Sequence, residues 1–516
     1  MVHGLLHCRS MADHTRLETV TRVLKLKQLR QVLFAVLCIV AMASCAPVGP
    51  NYSPPKTEAP PSWNSSMQDG LNAISPDPES LARWWDILKD PVLVALITDA
   101  VRDNLDLKQA RARVRQARAL RGISRAGLFP IVDAVGAARG YQSSNSGGTG
   151  TVDYLFDAGF DAGWEIDVFG GIRRSIEAAN ADLQASVANL RDVMISLVAE
   201  VGLNYVEART FQTRLEVARA NLKAQEHTYS FIRSRHEAGL INKLALEQAR
   251  YNLENTRSQI PALETGLEAA KNRLAVLLGK APGEVHERLA KPEPVPVPPL
   301  SVAVGVPAEA LRRRPDIRRA ERLFAAQTAR IGVATADLYP KFRLFGSIGL
   351  ESVHAEDFFK PGSFVWSLLP SASWNIFDAG AIRQNIEVQS ALQEQFLLAY
   401  ESAILQALEE VENDLTGFAQ EQIRRDSLRQ AVDAAQEAEA LSQDLFKAGL
   451  INFDAVLDAQ RSLLTFQDQL AVSEGTVISR LISLYKALGG GWSNLPLPPA
   501  EMPSEMPAEA PAGAGT

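Results

Sequence analysis

The stretch "WEIDVFGGIRRSIEAA" at 164–179 is written almost a second time as "WNIFDAGAIRQNIEVQ" at 374–389. Both begin with Trp, carry Gly six residues later and continue I-R-x-x-I-E, and the offset is 374 − 164 = 210. The same offset relates "AGLIN" at 238–242 to "AGLIN" at 448–452, and residues 104–279 align with 314–489 without a gap. Two copies of this length indicate duplication of a large supersecondary unit rather than a solenoid.

Each copy is predicted to begin with a helix, at 96–128 and 308–338, and to contain a much longer helix further on. The segments 172–236 and 382–447 contain no proline, and as single helices each would span on the order of 100 Å. Within them, apolar residues recur at coiled-coil spacing, at Val198, Val201, Tyr205 and Ala208 and again at Leu408, Val411, Leu415 and Phe418. Each long helix is expected to end at AGLIN and to be followed by a return helix. Pro261 predicts a kink in the first return helix only.

Between the short and the long helix, each copy is predicted to form a β-hairpin, at 131–168 and 341–377. In "YLFDAGFDAGWEID" at 154–167, apolar residues alternate with four acids on the opposite face, Asp157, Asp161, Glu165 and Asp167. Period two with one apolar and one charged face indicates a half-buried strand. The pattern fits a membrane barrel with lipid outside and water inside, although a soluble hairpin is the alternative. Four strands do not close a barrel, so closure requires two or three chains.

The repeated phrase itself lies where a strand should give way to a long helix. Trp164 and Trp374 are expected to pack at that junction, with aromatics at the membrane interface as the alternative. Gly170, Gly171 and Gly380 are expected to let the chain turn from strand into helix.

The N-terminus has the order of a bacterial export signal. Lys25, Lys27 and Arg30 precede the apolar run 32–43, which is too short to span a bilayer. The run ends in "MASC", which resembles a lipobox and predicts a mature chain that starts at a lipidated Cys45 and lies at the outer membrane. An ordinary signal peptide with an incidental cysteine is the alternative.

Composition and motifs argue against several other classes of protein. The formal net charge of −7 over 516 residues gives no reason to expect nucleic-acid binding. The three cysteines, at positions 8, 38 and 45, offer no disulfide framework. The sequence contains no P-loop, H-E-x-x-H or C-x-x-C motif. We therefore expect no enzyme, no metal site, and no cofactor beyond the lipid on Cys45.

Four further segments point to a family when they are taken together. They are "WWDILKDPVL" at 84–93, "RRRPDIRRAERLFAA" at 312–326, "SWNIFDAG" at 373–380 and "AVLDAQRSLL" at 455–464. With the lipobox, they resemble the outer membrane efflux protein family of TolC and OprM type, in its NodT-like lipoprotein branch. The resemblance covers nearly the whole mature chain. It implies a mainly α fold with a membrane β-barrel portion, in which three chains form a twelve-stranded barrel on a long α-helical coiled-coil tunnel.

The resemblance also implies a function. The chain would be the passive exit duct of a tripartite pump, conducting small molecules such as drugs from the periplasm to the exterior. Its partners would be two further copies, a periplasmic adaptor protein, an inner-membrane resistance-nodulation-division transporter and outer membrane lipid. A metal-efflux or type I secretion duct is the alternative within the family. A lipid-tethered periplasmic coiled-coil scaffold without a pore is the alternative from another class.

The resemblance places a gate at the second coil tip. Asp458 and Arg461 match family residues at the periplasmic constriction, and Asp454 lies one helical turn before Asp458. The competing interpretation is a solvated helix face in which Asp458 and Arg461 form an ordinary i, i+3 pair. The adaptor is expected to contact the tips at Gly239, Asn242, Gly449 and Asn452.

These predictions divide the chain into six parts. They are a signal peptide at 1–44, a lipidated N-terminal segment at 45–95, a first repeat at 96–283, a proline-rich linker at 284–307, a second repeat at 308–491 and a disordered tail at 492–516.

Overall fold

A computed structural model describes residues 47–492 except 57–58, 68–69, 143, 145, 147–151, 298 and 300. The predicted signal peptide, Cys45 and the tail from residue 493 lie outside the described residues.

The two copies fold into the same order of elements. After β1 (Leu71–Asn72) and α1 (Pro78–Ala82), the first copy contains α2 (Pro91–Asp103), α3 (Leu105–Ala126), β2 (Ile131–Gln142), β3 (Val152–Ile166), α4 (Gly171–Glu237) and α5 (Lys243–Leu277). After β4 (Val302–Ala303), the second copy contains α6 (Pro307–Arg313), α7 (Pro315–Ala336), β5 (Lys341–Ser352), β6 (Phe364–Ser373), α8 (Ala381–Lys447) and α9 (Phe453–Ala487). The mainly α class and the predicted order of helix, two strands, long helix and return helix are confirmed.

Corresponding helices have equal lengths. The long helices α4 and α8 are 67 residues each, and the return helices α5 and α9 are 35 residues each. Helix α5 runs through Pro261 without a break in its assignment. Among the helices of the described residues, none is long and apolar enough to cross a membrane.

The first helix of each copy is split, and the prediction of one continuous helix was wrong. The breaks fall at Asn104 and Arg314, which are 210 positions apart and have extended backbone ψ angles of 135° and 121°. Asn104 caps α3 by accepting a hydrogen bond from the Leu107 N–H at 2.9 Å. Arg314 precedes a proline, which disfavours helical backbone at that residue.

The chain divides into two compact units, and each unit takes corresponding pieces from both copies. One unit includes Ala119–Ala181 and Ala325–Gln395, and the other includes Asp182–Phe324 and the chain from Phe396 onward. The first unit contains all four long strands, and the second contains both tips.

The core of the second unit forms where the long and return helices pack together. The predicted seam residues lie in it, with Val198, Val201, Leu415 and Phe418 fully buried. Trp84 is 2% exposed and stacks on Tyr485 at 6.1 Å between ring centroids.

The strands form one antiparallel sheet in the order β2-β3-β5-β6. Its register pairs Trp164 with Leu344 and Phe160 with Ile348, and Ile348 in turn with Trp366. These side chains therefore share one face. Strands β2 and β6 are the edges of the sheet.

The strands are shorter than predicted at their ends. Strand β3 ends at Ile166 and β6 ends at Ser373. Asp167, Trp374 and Ile376, which were assigned to the strands, therefore lie beyond them.

Candidate functional site

The apolar face of the sheet is uncovered in the single chain. Phe160 is 58% exposed, Trp366 70% and Leu368 63%. Large apolar side chains rarely form a continuous exposed face on a monomeric soluble protein. This face therefore belongs against an apolar surrounding.

The opposite face carries the acids and also basic partners that sequence analysis had not paired with them. The Glu165 carboxylate accepts a hydrogen bond from Arg343 Nε at 3.2 Å, and Asp157 lies 3.6 Å from Arg139. Asp161 is directly opposite Asp133 on β2. The face is thus mixed in charge, with two pairs of directly opposite acids, because Asp157 also faces Glu351 on β5, and it includes the apolar Phe345.

Asp167 has a different role from the strand acids. Its carboxylate accepts hydrogen bonds from the Ile172 and Arg173 N–H groups at 3.1 and 2.9 Å, so it caps the start of α4. In the second copy, Asp378 accepts from the Ile382 N–H at 2.8 Å. Ile172 and Ile382 are 210 positions apart, whereas the two acids are offset by one more residue. The hydrogen bond from the Ile382 N–H lowers the pKa of Asp378 below its usual value.

The repeated phrase builds the same junction twice. The Trp164 indole N–H donates to the Leu128 carbonyl at 3.0 Å, and the Trp374 indole donates to the Leu338 carbonyl at 3.0 Å. Gly170 and Gly380 have φ angles of +80° and +87°, which side chains rarely adopt. Each tryptophan therefore ties the chain just beyond α3 or α7 to the end of the strand that precedes the long helix. Each glycine turns the chain into that long helix. Gly171 is instead the first residue of α4.

Arg174 holds the segment that follows Cys45. Its Nε donates to the Val48 carbonyl at 3.0 Å and one Nη donates to Asn51 Oδ1 at 2.7 Å. The Val48 N–H donates to the Phe169 carbonyl at 3.0 Å. Arg174 is 3% exposed, so the segment is tied to a buried group at the start of α4.

The two tips are formed by the AGLIN turns. Gly239 and Gly449 have φ angles of +74° and +75° and end the long helices. Asn242 caps α5 by accepting from the Ala245 N–H at 3.0 Å, whereas Asn452 makes no side-chain cap hydrogen bond. The apolar turn residues Leu240 and Leu450 are 65% and 71% exposed. The tips thus present apolar side chains to their surroundings.

The predicted gate residues lie where the return helices α5 and α9 meet. Arg461 donates from Nε to Asn252 Oδ1 at 3.0 Å and from an Nη to the Tyr251 hydroxyl. Its guanidinium also lies over the Tyr251 ring, 5.1 Å from the centroid. Asp454 accepts from Gln248 Nε2 at 2.7 Å. Arg461 and Asp454 are therefore both linked to the first copy.

Asp458 is placed differently from its neighbours. It is exposed, and within the described part of the chain it makes no hydrogen bond or ion pair. The i, i+3 pair between Asp458 and Arg461 is not formed, because Arg461 is directed to Tyr251 and Asn252 on α5.

Sequence reasoning missed the first-copy members of this cluster. A signal was available, because Tyr251 is the residue 210 positions before Arg461 and Gln248 is the residue 210 positions before Asp458. Across a pseudo-symmetric pair of helices, such positions are brought close together.

Comparison with known proteins shows what this arrangement is. The model of the outer membrane efflux protein family matches residues 96–280 and 306–490, once for each copy. The toluene efflux pump outer membrane protein TtgF of Pseudomonas putida is 31% identical over 467 residues, covering 88% of this chain and 96% of that protein. The probable outer membrane lipoprotein SilC of Salmonella typhimurium is 30% identical over 465 residues, covering 89% and 98%.

A solved structure agrees with the sequence relatives. The outer-membrane channel OprN superposes with a TM-score of 0.82 at 33% identity, covering 86% of this chain and 99% of that one. The chain is a member of the outer membrane efflux protein family, a family of efflux channels of the bacterial outer membrane.

Proposed function

We propose that this chain is the outer membrane exit duct of a tripartite efflux pump, in which three copies close one barrel of twelve strands above a helical tunnel. The observation that carries the proposal is the four-stranded sheet. It has two open edges, an exposed apolar face and a charged face. Unpaired strand edges are not viable in lipid, and a closed barrel removes them.

The long helices support association of several chains. Leu398 and Leu405 of α8 are 56% and 67% exposed, whereas Ala188 and Ile195, at the same positions of α4, are 1% and 4% exposed. These two leucines of α8 have no cover in the single chain. A neighbouring copy would bury it and continue the tunnel wall.

The gate is proposed to lie at the second coil tip. The links from Arg461 and Asp454 to Tyr251, Asn252 and Gln248 hold α9 against α5. Around a threefold axis, three exposed Asp458 carboxylates would form a ring at the constriction. Opening requires α9 to move, and the Arg461 links resist that movement.

The barrel acids and the lipid complete the proposal. Asp157, Asp161 and Glu165 would line the barrel interior, where charge tunes the passage of ions. Lipid on Cys45 would anchor a segment that Arg174 already holds at the start of α4. SilC, a lipoprotein by its name, supports that modification.

The partners follow from the absence of any energy-coupling motif in the sequence. An inner-membrane resistance-nodulation-division transporter would supply the driving force. A periplasmic adaptor would bridge to the tips, where the exposed Leu240 and Leu450 offer apolar contacts beside Gly239, Asn242, Gly449 and Asn452. TtgF serves toluene efflux by its name, which favours small organic substrates over secreted proteins.

Planar-bilayer conductance tests the duct and its gate together. The parent protein is expected to conduct weakly. Arg461→Ala and Tyr251→Phe are expected to raise conductance severalfold, with Arg461→Ala larger because it removes both links to α5. Arg250→Ala is the matched control, because Arg250 lies beside Tyr251 on α5 but has only a 3.8 Å ion pair within its own helix.

The outcomes separate the alternatives. A pore of equal conductance in all variants would keep the duct and remove the gate. No conductance from membranes that contain the inserted protein would favour the tethered scaffold.

A further inference from the structure

Four arginines that lie on α4, α6 and α7 have few anionic partners. We call Arg191, Arg312, Arg313 and Arg318 the arginine surface. Arg314 does not belong to it, because its guanidinium is used by Asp316, Glu410 and the Ala487 carbonyl. Within the described residues, Arg191, Arg312 and Arg318 have no carboxylate partner.

The members of the arginine surface affect one another. Burial, followed by the charge of Arg318, lowers the pKa of Arg191. Among the described residues, Arg313 reaches only Glu309, at 3.9 Å, and its Nε and one Nη have no hydrogen-bond partner there. Arg191 and Arg313 are half-buried, and such arginines are ordinarily paired with anions, whereas Arg312 and Arg318 are exposed beside them. The surface is therefore suited to a negatively charged ligand.

A cavity adjoins the arginine surface and adds an apolar component. Its volume is about 530 Å³, and its lining includes Arg312, Arg318, Pro54, Leu311, Ile317 and Tyr400. The lining also contains one acid, Glu321, whose carboxylate is paired with Arg322. A ligand that fills it must carry acidic groups and also apolar ones. An acidic peptide rich in proline and aliphatic residues has that chemistry.

The chain supplies such a peptide at the same place. The Trp492 ring lies under the Arg191 guanidinium, 4.5 Å from its centroid to Cζ, and Gly489 packs against the backbone of Arg313. Residues 493–516 follow directly and contain Glu501, Glu505 and Glu509, six prolines, and no Lys or Arg. Glu501 is nine residues beyond Trp492, a reach of up to about 30 Å in extended chain.

We propose that the acidic, proline-rich tail 493–516 docks on the arginine surface and the adjoining cavity of its own chain. The glutamates face Arg312 and Arg318, and the proline and leucine side chains enter the cavity. This inference does not depend on the gate or on the transported substrate. Because the contact is partly exposed and electrostatic, salt should weaken it.

Photo-crosslinking in the full-length protein tests the proposal directly. Benzoylphenylalanine replaces Met506, and mass spectrometry locates the adducts formed on irradiation. Adducts are expected within residues 307–322. Their yield should fall at least fivefold in the Glu501→Gln, Glu505→Gln, Glu509→Gln variant, in the Arg312→Gln, Arg318→Gln variant and in 1 M NaCl.

The control is Arg219→Gln, which removes an exposed arginine that pairs with Glu264 elsewhere. Its adduct yield should equal that of the parent. Adducts that map elsewhere, adducts that join two chains, or an unchanged yield in the glutamine variants would each overturn the proposal. Hydrogen exchange of 307–322 in the same variants checks that the fold is retained.

Discussion

The two long helices, α4 and α8, have the same length and the same kinds of ends but different surroundings. Both have 67 residues, begin after a glycine with positive φ and end at AGLIN. Yet Ile195 is 4% exposed and Leu405, 210 positions later, is 67% exposed. The duplication thus set the form of both helices, while the position of Ile195 is covered by the chain itself only in α4. Helix α8 therefore exposes leucines at the positions where a neighbouring copy is proposed to contact it.

The largest effect is expected from substitutions at the equivalent positions Ile195 and Leu405, whose exposure differs between the two helices. Ile195→Asp should destabilise the folded chain by about 4 kcal/mol or more, because it buries an unpaired charge. Leu405→Asp should leave the fold intact but abolish the proposed trimer. Thermal unfolding and light scattering of the purified protein in detergent measure the two effects. A trimeric Leu405→Asp protein would show that α8 is not the subunit contact.

A smaller effect is expected at the paired helix breaks. Arg314 is 8% exposed and donates to the Ala487 carbonyl, and Asn104 donates to the Leu277 carbonyl, 210 positions earlier. Arg314→Leu should lower the free energy of unfolding by about 3 kcal/mol, because Asp316 and Glu410 lose their cation. Asn104→Ala should lower it by about 1–2 kcal/mol. Denaturant unfolding compares them, and equal losses would mean that the ion pairs add nothing to the cap.

The pH dependence of the Arg314 variant sharpens that test. Burial raises the pKa of Asp316, but the hydrogen bond from Arg314 outweighs burial and brings that pKa below its usual value of 3.8. A carboxyl group whose pKa is lowered by folding stabilises the folded state at pH values above its pKa in the unfolded chain. That contribution is lost as the pH falls through its pKa in the folded state. The difference between parent and Arg314→Leu should therefore shrink below about pH 4.

The smallest effect is expected when a residue of the second copy is replaced by its counterpart from the first copy. Burial raises the pKa of Asp414 to about 6, and the first copy has Asn204 at the equivalent position. A raised carboxyl pKa destabilises the fold once pH rises above the unfolded value. Asp414→Asn should therefore stabilise by about 1 kcal/mol at pH 7 and by nothing near pH 3.5. A melting-temperature series over that range measures it, and an equal gain at both pH values would exclude titration as the cause.

Much of the fold could be predicted because its signals are local. Uninterrupted helical periodicity in 172–236 and strict alternation in 341–351 define their elements without tertiary information. The break at Asn104 was missed because its side chain donates to the Leu277 carbonyl, which is distant in sequence. The break at Arg314 had a local signal in the following Pro315, and it is held by the distant Ala487 carbonyl. Asp167 was assigned to a strand because its alternation continues by one residue past the last backbone pairing.

The candidate site was predicted in part. Arg461 and Asp454 were identified, but their partners Tyr251, Asn252 and Gln248 belong to another helix and carry no motif of their own.

The sequence by itself determined the duplication, the length of the helices, the two-faced strands and the resemblance to a family. Each of these is a repeat or a period, which is set by neighbouring residues along the chain. Only the tertiary structure decided that Arg461 binds Tyr251 rather than Asp458, that Arg174 holds the segment after Cys45, and that Arg312 and Arg318 have no carboxylate partner among the described residues. Those outcomes depend on which side chains come into contact, and the packing of helices from distant segments of the chain determines those contacts.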